Sequence, residues 1–129
     1  MAKTMLRQQI AVVRSEAFNL DNGAGTTVDE ALFTAPAALP VRLVNVYAIY
    51  NEATQTVAGG NFKLGSAAGG AQYVAATAYE DSKSVGAVTR ATLVTDLVPA
   101  GGVVFVRHTG VAATQTGTAN IVVEYVVEE

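Results

Sequence analysis

The chain has no cysteine, no tryptophan, a single histidine and three prolines in 129 residues. Without cysteine there are no disulfides, no thiolate nucleophile and no cysteine-ligated zinc. Small secreted domains commonly lean on disulfides, so the lack favours folding in a reducing cytosol. One histidine supplies little for a metal cluster or a histidine-centred triad. With no tryptophan and aromatics at 7%, the stacking platform of a sugar-binding module is poorly supplied. No apolar run reaches the roughly 18 residues that span a bilayer. The opening MAKTMLRQQIAVV has no sustained apolar stretch with a cleavage signal, so no signal peptide is read. Eight basic residues against 11 acidic give a net charge of −3. That argues against a nucleic-acid binder, which needs a basic face.

Charge of either sign is scarce. Charged residues make up 15% of the chain, against about a quarter in ordinary soluble domains. Hydrophobic residues make up 50%, although many are alanine. A monomer so composed has few charges to cover its surface, so the composition points to an oligomer or to a protein lying on a larger surface. The charges are also unevenly placed. Lys3, Arg7 and Arg14 precede the first acid, Glu16, while Glu124, Glu128 and Glu129 crowd the other end. These are either solvated termini or a basic arm that docks on an acidic partner.

What the sequence has in quantity is short β-branched runs between turn residues. The clearest are Val103–Arg107 and Ile121–Val127, which predict a β-hairpin with a long loop, opened by a turn at Pro99–Gly101. Val41–Tyr50 is the longest apolar run. Read as a strand, it puts Val41, Leu43, Asn45, Tyr47 and Ile49 on one face. Arg42, Val44, Val46, Ala48 and Tyr50 fall on the other. Both faces are largely apolar, which predicts a central strand or a subunit contact. A first strand falls within Ile10–Phe18, and Leu20–Thr27 is a turn around Asn22–Gly23. Val28–Thr34 reads as strand or as one helical turn, with the flanking threonines and Pro36 favouring strand. Shorter strands are expected at Asn61–Leu64, Gln72–Thr77 and within Val85–Thr95, with Ala78–Ser84 as an exposed charged loop. Many short strands with Gly, Asn and Pro turns predict an all-β antiparallel sandwich of jelly-roll type. Residues 10–129 would form this single domain and residues 1–9 an extended N-terminal arm.

Chemistry is sought and mostly not found. His108 would need an acid and a nucleophile nearby, and nothing in the sequence places Glu124 or Ser15 beside it. Asp29–Glu30 and Glu80–Asp81 are adjacent acidic pairs without the spacing of a calcium loop. GAGTT at Gly23–Thr27 and GGNFKLG at Gly59–Gly65 lack the spacing of a phosphate loop and read as turns. No catalytic, cofactor or metal residue is assigned. Tyr73 and Tyr79 are the tyrosines expected to be exposed, and with Val111–Gly117 they are the place to look for a glycan platform.

The stretches VRLVNVYAIYNEA (Val41–Ala53), GGNFKLGSAAGGAQYVAAT (Gly59–Thr77) and VPAGGVVFVRHTG followed by IVVEY are similar to a family of bacteriophage virion proteins. These are the capsid decoration or cement proteins and related head-fibre domains. The motifs are structural and cover about Val41–Tyr125. The resemblance implies a jelly-roll-like domain, usually a trimer, on the outside of an icosahedral head. It would bind between major capsid protein subunits and hold them together, with no cofactor and no reaction. The location implied is the virion exterior, after synthesis in the host cytoplasm. Lys3, Arg7 and Arg14 are then candidate capsid contacts, and Val44, Val46 and Tyr50 candidate oligomer contacts. A receptor- or carbohydrate-binding domain of a phage fibre or tail is the alternative. A hydrolase built on Glu80 and Asp81 is a third reading.

Overall fold

The computed structural model describes residues 9–54, 57, 60–111 and 117–128. Within them the chain is all-β, with ten strands and no helix. They are β1 (Ala11–Arg14), β2 (Phe18–Asn19), β3 (Thr27–Thr34), β4 (Val41–Tyr50), β5 (Asn61–Gly65), β6 (Val74–Ala78), β7 (Val88–Arg90), β8 (Leu97–Val98), β9 (Val103–Thr109) and β10 (Thr118–Val127).

Two antiparallel sheets pack face to face. The first has the order β1-β10-β4-β7, with β2 added on β10 and β8 on β4. The second has the order β3-β9-β5-β6. Without the two-residue strands β2 and β8, eight principal strands remain, and the first pairs with the last, the second with the seventh, the third with the sixth and the fourth with the fifth. That is one long antiparallel ribbon rolled up on itself, the jelly roll expected from the sequence. The core lies between the sheets. Leu43, Val46, Ala48, Ile121 and Val123 come from the first sheet, and Phe62, Leu64, Val104 and Val106 from the second.

The expected β9–β10 hairpin does not form. Both runs are strands, but β9 pairs with β3 and β5 while β10 pairs with β1 and β4. Each strand is central in its own sheet and turns one apolar row inward. The long connection therefore crosses between the sheets. Tight hairpins use loops of about two to five residues. Residues 112–116 of the connection lie outside the described residues.

Strand β4 has the expected bounds but not the expected faces. A β-bulge at Val44 shifts the register, so that Asn45 opposes Glu124 and Leu43 opposes Tyr125. Before the bulge, Val41 and Leu43 point inward; after it, Val46, Ala48 and Tyr50 do. The run looked apolar on both faces because its inward phase changes halfway along.

A break in the edge next to β10 is repaired by a side chain. Between β1 and β2, the Ser15 amide donates to the Ile121 carbonyl, and the Ile121 amide donates to Ser15 Oγ, both at 2.8 Å. Gly65, in the stretch GGNFKLGSAAGG, permits a close approach of the backbone. A Cβ on Gly65 would lie 2.3 Å from the Gly70 carbonyl carbon, so only glycine lets this turn close on the β5 end.

Candidate functional site

Three places carry enough polar chemistry to be considered: the interior around His108, the loop cluster around Glu80, and the outer face of the first sheet.

His108 on β9 is fully buried and stacks on Phe18, with ring centroids 5.1 Å apart. Its Nε2 lies 3.0 Å from the Asn19 carbonyl, which can only accept, so Nε2 carries the proton. Nδ1 then accepts from the Tyr79 hydroxyl at 2.7 Å. Burial lowers the His108 pKa, partly offset by the Asn19 carbonyl, and burial raises that of Tyr79. Both groups are therefore neutral and mutually satisfied. Ser15 is occupied in the sheet edge, and Glu124 lies on the outer face of the first sheet. The structure thus brings neither to the histidine. The bond partners of His108, Asn19 and Tyr79, are both distant in sequence.

The pair Glu80–Asp81 does not act together. The Glu80 amide donates to the Tyr50 hydroxyl at 2.9 Å, and Tyr50 donates to Thr89 at 2.6 Å. Thr89 returns a hydrogen bond to the Glu80 carboxylate at 2.8 Å. This bond, with help from Lys83, lowers the Glu80 pKa. Asp81 instead accepts from the Val57 amide at 2.7 Å. Both acids pin one end of the sandwich, and the hydrolase reading loses its candidate pair. The stretch Ala78–Ser84 is not simply an exposed loop, since Tyr79 is buried within it. Tyr73 is buried as well, so the two tyrosines expected to be exposed form no platform. Most of the loop Val111–Gly117 lies outside the described residues.

The outer face of the first sheet is different. Successive rows cross it from β1 to β7 and β8. One row is Arg14, Val122, Tyr47 and Arg90. The next is Val12, Glu124 and the bulge pair Val44–Asn45. The third contains Val126, Arg42 and Leu97. Val12, Val44 and Leu97 are 62%, 45% and 42% exposed, and Ile10, just before β1, is also exposed. The Glu124 carboxylate leans towards β4, taking hydrogen bonds from Asn45 Nδ2 and the Tyr47 hydroxyl, each at 3.5 Å. The Arg90 guanidinium lies over the Tyr47 ring, 5.8 Å from its centroid. Among the described residues neither Arg14, Arg90 nor Glu124 is in a salt bridge. Arg42 is paired, with Asp96 at 2.8 Å and with Glu128.

Of the expected contact residues, Arg14 and Val44 are on this face and exposed. Lys3 and Arg7 lie outside the described residues. Val46 and Tyr50 are corrected: both are fully buried in the chain's own core, turned inward by the bulge at Val44. Sequence reasoning missed Val12, Glu124 and Arg90 as neighbours. Strand alternation gave their direction, but only the pairing of β1, β10, β4 and β7 puts them side by side.

Over its whole length the fold is similar to a chain of the solved structure described as "Cyanophage Pam1 capsid asymmetric unit". The TM-score is 0.61 at 13% sequence identity, covering 100% of this chain and 98% of that chain. At that identity the likeness is one of fold. No protein-family model matches the chain, and no curated protein does.

Proposed function

We propose that the chain is a structural virion protein, without enzymatic activity, that binds the outer surface of a phage capsid. There it stabilises contacts between major capsid protein subunits. The observation that carries this reading is the end-to-end fold likeness to a chain of a phage capsid asymmetric unit. The resemblance of the three sequence stretches to decoration proteins supports it independently. So does a sheet face that carries exposed Val12, Val44 and Leu97 beside Arg14, Arg90 and Glu124, which among the described residues are in no salt bridge. The protein acts as an oligomer, a trimer as the resemblance implies. Residues 10–129 form the domain, and the basic arm of residues 1–9, with Lys3 and Arg7, joins Arg14 in contacting the capsid. It is made in the host cytoplasm and resides on the virion exterior.

Co-purification tests the reading. The protein should band with full heads at a fixed ratio to the major capsid protein, and heads without it should break at lower temperature or force. Free protein that never bands with heads would sink the proposal. Removal of residues 1–9 should weaken capsid binding; unchanged binding would remove the arm from the account.

A further inference from the structure

We infer that the outer face of the β1-β10-β4-β7 sheet is covered by a second copy of this chain. The inference deepens the oligomer of the preceding reading and does not depend on capsid binding.

Two observations meet on this face. The first is apolar exposure. Val12, Val44 and Leu97 stand exposed on it, while Val126, in the row of Leu97, is largely covered. No residue on the outer face of the other sheet is among the large hydrophobics that stand exposed. Exposed large hydrophobics also occur at Val28, Leu39, Val85 and Val94, but of the two outer sheet faces only this one carries them, which marks it as the candidate contact.

The second observation is charge complementarity of the face with itself. Glu124 is on the central strand β10, while Arg14 and Arg90 are on β1 and β7 to either side of it. Within one chain the carboxylate turns to Asn45 and Tyr47, and neither guanidinium reaches it within ion-pair distance. A face with one acid between two unpaired arginines, rimmed by valines, suits the same face on another copy. Glu124 of each copy then meets an arginine of its neighbour while the valine rows close over the contact. A foreign partner would have to match both the acid and the flanking arginines; a second copy carries both, and pairs them when its face lies offset so that Glu124 of one copy meets Arg14 or Arg90 of the next.

Sedimentation of the purified protein without capsid tests this. The wild-type chain should associate at micromolar concentration. Glu124→Arg should weaken association by about tenfold or more, because like charges then meet in the contact. Adding Arg14→Glu and Arg90→Glu to it should restore association by reversing the pairing. Val12→Asp with Val44→Asp should leave a folded monomer, with far-UV circular dichroism as the check on folding. Lys63→Asp on the other sheet should change nothing. A wild-type monomer at tens of micromolar, or an oligomer indifferent to the Val12 and Val44 changes, overturns the inference. Co-purification with heads reads capsid binding separately, so either idea can fail alone.

Discussion

The two outer faces of this sandwich solve the same problem differently. On the outer face of the second sheet Asp29 and Arg107 pair with each other, while Lys63, among the described residues, is in no ion pair. Arg107 on β9 holds Asp29 on β3 through two hydrogen bonds, at 2.7 and 2.8 Å, and lowers its pKa. Lys63 lies beside Arg107 in the same row, and Asn61, Thr27 and Thr109 line the next. The first sheet pairs Arg42 with Asp96 and Glu128, yet among the described residues Arg14, Arg90 and Glu124 are in no salt bridge and lie among exposed valines. Exposed apolar side chains, and more charges outside an ion pair, both set the first face apart. A face with less of both has less to offer a partner.

Four measurements would break or sharpen this contrast. The largest effect should come from the interior both faces rest on. Phe62→Ala empties a fully buried position between the sheets and should cost about 3–5 kcal/mol in urea unfolding. A cost below about 1 kcal/mol would mean that the faces, not the interior, set stability. Next, Gly65→Ala forces a Cβ into the Gly70 backbone at the end of β5 and should cost about 1–3 kcal/mol. A silent Gly65→Ala would show that the second sheet is looser than its Asp29–Arg107 pair suggests.

The third test is pH. His108 is neutral when folded, its pKa pushed down by burial. The unfolded chain takes up that proton near the ordinary value of about 6.5. Stability should therefore be complete above about pH 6.5 and decline as pH falls below it towards the depressed folded value. On protonation Nδ1 would become a donor, and the buried Tyr79 hydroxyl would lose its acceptor. His108→Gln should flatten this part of the urea-midpoint profile. An unchanged profile would mean that some other group titrates there. Asp29 acts in a lower window: its folded pKa is lowered, so its contribution is lost as pH falls below about 4.

The smallest effects compare the faces directly. Asp29→Asn breaks the ion pair with Arg107 and, at a partly exposed site, should cost about 0.5–1 kcal/mol. Glu124→Gln removes a carboxylate that has no cation partner among the described residues and should change monomer stability by less than about 0.5 kcal/mol. If Glu124→Gln were the costlier change, the assignment of open and closed faces would be reversed.

Much of this architecture could be read from the residues. The bounds of β4 and the inward row Ile121, Val123, Tyr125 and Val127 follow from alternation, and the jelly roll from many short runs between turns. Strand neighbours did not follow. Alternation states which residues turn inward, not which strand lies alongside, so β9 and β10 looked like a hairpin. The bulge at Val44 has no local signature, because an extra valine in a valine-rich run changes no pattern. Tyr79 was hidden by the acids that follow it. Glu80 and Asp81 suggest a solvated loop, whereas their carboxylates are tied to Thr89 and to the Val57 amide. The partly open face was legible only as single residues, Arg14 and Val44. What unites it is a sheet order that joins positions more than a hundred residues apart.

The pairing of β1 with β10 sets Ala11 opposite Tyr125. The two ends of the domain therefore leave from the same corner. A short peptide bridge across that corner would give a circular permutant, with new ends cut at Ala67 in the β5–β6 turn. Every ladder of both sheets would survive the operation.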